Sequence, residues 1–147
     1  MTVRRTWILA ALGGLLAASG AARAQVTAAA LAGRSHKVVF QVSDADPAKW
    51  NLALNNARNV QEDLGKDKVA IEIVAYGPGI GMLKMDSVAG PRIAEAMDSG
   101  IVVVACENTM RNQKIGRDDM LPKIGYVMAG VVELMQKQKE GWAYIRP

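Results

Sequence analysis

Along the chain, short apolar runs alternate with segments whose apolar residues recur every three or four positions. Residues 37–43, KVVFQVS, are a β-branched and aromatic run that reads as a strand. Asp44, Asp46 and Pro47 follow, and acidic groups with an early proline favour the start of a helix. From there Trp50, Ala53, Leu54, Ala57, Val60 and Leu64 keep helical spacing until Gly65 stops it. Residues 68–77, KVAIEIVAYG, make a second strand, broken by Pro78 and Gly79. A glycine-punctuated loop, PGIGMLKMDSVAG, leads to a helix over 91–99 that Gly100 closes. IVVVA, residues 101–105, is apolar throughout, as a strand buried on both faces must be. Residues 107–121 hold one or two short helical turns, and 123–130 a fourth strand. The segment 131–141 is a helix with Val131, Leu134 and Met135 on one face, and WAYIRP is a short last strand.

Strands alternating with helices predict an α/β fold: a three-layer α/β/α domain whose mainly parallel sheet has about five strands joined by right-handed crossovers. The domain spans 37–147. Residues 25–36, QVTAAALAGRSH, lack a sustained period and read as a loosely held N-terminal arm. No internal repeat, low-complexity tract or second domain is visible.

The first residues change the charge picture. MTVRRTWILAALGGLLAASGAARA has Arg4 and Arg5, an apolar run from Trp7, and small residues before Gln25. That is the layout of a cleavable export signal over 1–24, with the cut after Ala24. The run is shorter than the ~20 residues needed to span a bilayer, so no stable membrane insertion is expected. The paired arginines fit general secretion or twin-arginine export, and either makes the mature protein periplasmic or secreted. Without residues 1–24, Lys plus Arg falls from 18 to 15 against 14 acidic residues. The mature chain is nearly neutral, has no long basic run, and offers nothing for nucleic acid.

Cys106 is the one cysteine, so no intrachain disulfide can form. In an open parallel sheet, ligands bind beyond the carboxyl ends of the strands. On that edge lie Ser43, Asp44 and Asp46; Tyr76, Gly77 and Gly79; Cys106 to Thr109; and Met128 to Gly130. The thiol therefore sits either at a helix N-terminus that favours the thiolate or as the last apolar residue of a core strand. Asn108 or Thr109 can cap the turn, while Glu107 opposes ionisation if it points at the sulfur.

Missing partners narrow the chemistry. His36 is the one histidine and precedes the first strand, which puts it on the order of 15–20 Å from Cys106. A Cys–His hydrolase needs hydrogen-bond contact, so acyl transfer is excluded. Met82 occupies the place of the last glycine in a G-x-G-x-x-G pattern starting at Gly77, and no phosphate-loop motif occurs. No cofactor is expected. Met82 and Met85 with Cys106 allow a Cu(I) site as an alternative, and one Cys with one His argues against zinc.

YGPGIGML, SGIVVVACENTMRNQKI and MAGVVELMQKQKEGWAYIRP resemble the DsrE/DsrF-like (YchN-like) proteins of sulfur metabolism, over about residues 37–147. The resemblance implies an α/β/α domain assembled as homotrimers or homohexamers, and a cysteine that carries sulfur as a persulfide between donor and acceptor thiols. Cys106 takes the place of that cysteine. Gly77, Gly79, Asn108 and Thr109 match the surrounding pattern as pocket-shaping residues, whereas Asp44 is placed at the site by strand position alone. The characterised relays are cytoplasmic, in contrast to the export signal here. The resulting expectation is an exported sulfur carrier. Its alternative is an oligomeric module that binds a small molecule or Cu(I).

Overall fold

The computed structural model describes residues 33–147; the expected export signal and residues 25–32 of the expected arm lie outside the described residues. The elements follow in the order β1 (His36–Val42), α1 (Pro47–Leu64), β2 (Val69–Ala75), a 3-10 segment (Gly77–Leu83), α2 (Gly90–Asp98), β3 (Val102–Cys106) and α3 (Glu107–Gln113). A 3-10 turn (Arg117–Asp119), β4 (Gly125–Val127), α4 (Gly130–Lys139) and β5 (Ala143–Ile145) complete the domain. The sheet order is β4-β3-β2-β1-β5, and every strand pairing is parallel. β1 starts one residue earlier than expected, because the His36 N–H donates to Lys68 O at 3.0 Å. The loop after β2 is a 3-10 coil rather than irregular backbone.

The local chemistry of α1 is as read from the chain. Asp46 accepts from the Ala48 N–H at 2.8 Å as N-cap, Pro47 opens the helix, and Gly65 ends it at φ 88°. Trp50, Ala53, Leu54 and Ala57 form its buried stripe. That stripe, with Ile80, Met82 and Leu83 of the 3-10 segment and Ile93 of α2, packs on Phe40, Ile71, Ile73 and Val103 of the sheet. The other face is thinner: Val39, Ala70, Val74 and Val104 are covered by Leu134 of α4 and by Trp142.

Two expectations for the last third are corrected. β4 is three residues long, and Met128, beyond its end, is exposed. In α4 the inward stripe is Gly130, Leu134 and Lys137, at i, i+4 and i+7, so Val131 and Met135 face outward. The reason lies beneath the helix. Glu72 of β2 is only 3% exposed, and Lys137 reaches in to its Oε2 at 2.9 Å. Lys137 also lies 3.4 Å from Glu133 and 4.4 Å over the Trp142 ring. The other oxygen, Oε1, has no partner. Burial pushes the Glu72 carboxyl up to about 7, with Lys137 opposing it. Burial works to lower Lys137, but Glu72 and Glu133 outweigh it and hold the lysine above its usual range.

This has a consequence for stability. A carboxyl raised from 4.5 to about 7 binds a proton in the native state that the unfolded chain releases. Its contribution is complete below the unfolded value and disappears as pH rises through the folded one. Urea unfolding at a series of pH values should show the stability of wild type relative to Glu72→Gln falling between pH 4.5 and about 7. The total fall is at most about 3 kcal/mol. A pH-independent difference would contradict it.

Candidate functional site

β3 delivers Cys106 to the carboxyl edge of the sheet, where the same residue is the N-cap of α3. Strand alternation turns its side chain to the face that carries Val104 and α4. The sulfur accepts from the Thr109 N–H at 3.5 Å, so the cap is the cysteine itself rather than Asn108 or Thr109. The Thr109 hydroxyl accepts from the Gly77 N–H at 2.9 Å, which ties the 3-10 segment to α3. From the other side β4 pairs Val127 with Cys106, and the Asn108 N–H donates to Met128 O at 3.1 Å, so the start of α4 lies beside the sulfur. Burial would push the thiol up, but the Thr109 hydroxyl and the N–H groups of Gly130, Thr109 and Asn108 outweigh it and hold Cys106 below its ordinary value. The residue is 4% exposed, counts among the buried apolar residues, and has its sulfur hydrogen-bonded.

The flanking charges are arranged accordingly. Glu107 is bonded to Arg117, which stacks 4.2 Å over Tyr126. Its carboxylate is thus engaged away from the sulfur. Asn108 is exposed; its amide oxygen accepts from Arg111, and its N–H donates to Met128 O at 3.1 Å. Arg111 also lies 3.6 Å from the Met128 sulfur. Asn108, Arg111 and Met128 therefore form one exposed rim beside Cys106.

Gly79 and Gly77 act on backbone geometry. A Cβ on Gly79 would stand 2.3 Å from Val42 O and 2.9 Å from Ser43 Cα, so the 3-10 segment crosses the end of β1 only as glycine. Gly77 has φ 54°, in the left-handed region. The structure thus links Gly77, Thr109 and Cys106 by hydrogen bonds, with Asn108 beside them bonded to Met128 and Arg111, and Gly79 seats the 3-10 segment on the end of β1.

Asp44 is on the same edge but engaged elsewhere. Its carboxylate pairs with Lys49 at 3.3 Å and Arg146 at 3.6 Å, and its carbonyl accepts from the Trp50 indole at 2.7 Å. Tyr76 follows β2, which lies between β1 and β3 in the sheet. Burial, then Tyr144, raise its phenol; Arg146 lowers it, and Cys106 adds to the rise. Tyr144 donates to Gln41 Oε1 at 2.5 Å, and Gln41 donates to Ser43 at 3.0 Å. Tyr144 and Arg146 were not readable as site residues, since their place depends on β5 pairing beside β1. Glu72 did carry a signal: it is the one charge inside an apolar strand run.

Met82 and Met85 do not converge on Cys106. Met82 is wholly buried in the core on the α1 side, and Met85 is 60% exposed. Two surface depressions also lie away from the thiol. One, of about 410 Å³, is lined by Lys84, Met85, Lys114, Asp118 and Asp119; the other, of about 380 Å³, by Pro91, Ala94, Met97 and Leu121. His36 begins β1 while Cys106 ends β3, and a seven-residue strand spans roughly 20 Å, so the two occupy opposite edges.

The family model described as DsrE/DsrF-like family matches residues 36–147. The chain belongs to that family. MTH1491 of Methanobacterium thermoautotrophicum, a protein of unknown function, has 38% identity over 76% of this chain and 99% of its own, with a TM-score of 0.73. BT1422 of Bacteroides thetaiotaomicron, a conserved protein of unknown function, has 20% identity over 76% of this chain and 94% of its own, at 0.63. The ychN protein of E. coli has 12% identity over 76% of this chain and 99% of its own, at 0.59. The last two likenesses show a shared fold. No curated protein matches the chain. This DsrE/DsrF-like domain thus has the parallel α/β sheet of its structural neighbours and presents Cys106 at its carboxyl edge.

Two substitutions probe the cluster. Thr109→Val removes a donor to the sulfur and the acceptor of Gly77, so the pH midpoint of Cys106 alkylation should rise. Stability should fall by about 1–3 kcal/mol as the Gly77 N–H loses its partner. An unchanged alkylation profile would refute the hydroxyl's role. Gly79→Ala must displace backbone at Val42 and should lower stability by about 1–3 kcal/mol or more in chemical unfolding; a neutral effect would show that the crossing is looser than described.

Proposed function

We propose that this DsrE/DsrF-like protein is an exported sulfur carrier that holds sulfane sulfur as a persulfide on Cys106. The observation that carries the reading is Cys106 capping α3 with its sulfur bonded to the Thr109 N–H, at the carboxyl edge opposite the one histidine. A thiol already biased toward ionisation needs no histidine to attack an S–S bond. The Cys106 thiolate attacks a sulfane sulfur and a new S–S bond forms. The donor's S–S bond breaks, and the shortened donor leaves with the electron pair. An acceptor thiolate then attacks the outer sulfur, and Cys106 leaves as thiolate. No net oxidation and no cofactor is required in either step. Residues 1–24 support export, and the exposed Met128, Val131, Val132 and Met135 supply an apolar face for a homo-oligomer.

The 4% exposure of Cys106 favours one second reading, in which the thiol lines a binding site and transfers nothing. Intact mass of the protein lacking residues 1–24, before and after treatment with inorganic polysulfide, separates the two. Wild type should gain one or more sulfur atoms that a reductant removes, and Cys106→Ser should gain none. A folded, reduced wild type that gains no sulfur, or a Cys106→Ser variant that gains as much, would sink the carrier reading.

A further inference from the structure

Buried apolar contact holds α4 to the sheet weakly. Within the helix only Gly130 and Leu134 are buried. The other inward position is Lys137, whose ammonium lies 2.9 Å from Glu72 Oε2 in the middle of the central strand β2. The strand residues paired with Glu72 are Val39 on β1 and Val102 on β3, both uncharged. The charges at this point are therefore Glu72, Lys137 and Glu133, with the Trp142 ring beneath the lysine. Two turns back along the same helix is Gly130. A Cβ on Gly130 would stand 3.0 Å from Tyr76 Cβ, so the start of α4 sits directly on the end of β2. Gly130 lies two residues beyond Met128, whose carbonyl accepts from the Asn108 N–H at 3.1 Å, and Val127 pairs with Cys106, so the start of α4 lies beside the thiol.

We propose that the buried Glu72–Lys137 pair is a positioning device for Cys106: it sets the depth and rotation of α4 on the sheet and thereby holds the first turn of that helix beside the thiol. Neither residue touches the thiol, and both act through the helix. The inference rests on the reading of Cys106 as a reactive thiolate. It extends the site from the edge to the middle of β2. It also accounts for a carboxylate being kept where an apolar residue would pack, with one oxygen left unpartnered.

The test is the rate of Cys106 alkylation by iodoacetamide as a function of pH, in wild type, Glu72→Gln, Lys137→Gln and Lys137→Arg. If the pair positions α4, both glutamine variants raise the midpoint, by roughly one unit, a tenfold loss of thiolate below it. Lys137→Arg keeps the pair and should stay near wild type. A direct field effect would move the glutamine variants in opposite directions, because one loses a negative charge and the other a positive one. Opposite shifts, or unchanged midpoints in folded variants, overturn the proposal. Should a glutamine variant fail to fold, Glu72→Leu/Lys137→Met removes both charges and leaves no buried ion. A raised midpoint there supports the positioning role, and a wild-type midpoint refutes it. Polysulfide loading on the same samples keeps the two readings apart. A wild type with a depressed midpoint but no sulfur gain fails as a carrier while leaving the positioning result intact.

Discussion

A parallel sheet with crossover helices has two faces to keep dry, and in this domain the two are closed by different physics. On one side α1, α2 and the 3-10 segment bury a continuous apolar layer around Phe40, Ile71, Ile73 and Leu83. On the other, α4 buries Leu134, worth about 2 kcal/mol. Removing one partner of a buried ion pair such as Glu72–Lys137 costs about 3–5 kcal/mol because it strands the other charge, so on that face the pair constrains where α4 sits rather than adding net stability. The position of α4 follows from this, and with it the place of its first turn beside Cys106.

The thiol shows the same balance of burial against hydrogen bonding. Enclosing an ionised sulfur is costly, which is why most buried cysteines stay neutral. Hydrogen bonds to a charged group return about 1.5–3 kcal/mol each, and the Thr109 N–H supplies one to this sulfur. Glu107 is neutralised by Arg117, and the rim of Arg111 and Asn108 is polar. The arrangement favours a small sulfur nucleophile over a hydrolytic centre, consistent with the single histidine lying at the opposite edge of the sheet.

Family membership and the geometry of Cys106 are separate observations: the first establishes the fold family, and the second describes the thiol. The family model covers residues 36–147, and the 38% identical MTH1491 shares the fold over nearly its full length. The carrier chemistry is argued from the thiol's own surroundings, because MTH1491 and BT1422 carry no assigned function.

The order of strands and helices, the caps of α1 at Asp46 and Gly65, and the placing of Cys106 where β3 ends were all legible along the chain. Each depends on local rules: period, turn chemistry, and the carboxyl edge of a parallel sheet. The outward turn of Val131 and Met135 was not legible. Hydropathy alone assigns the inward stripe of α4 to them, and only the partner strand reveals that Lys137 must turn in to meet Glu72. Asp44 shows the same limit: strand position put it on the right edge, but the pairing of β5 with β1 gave it Arg146 as partner. The sequence by itself determined which residues reach the edge. Which of them touch was decided by tertiary structure, because contacts across strands and between helix and sheet join residues whose spacing along the chain has no period.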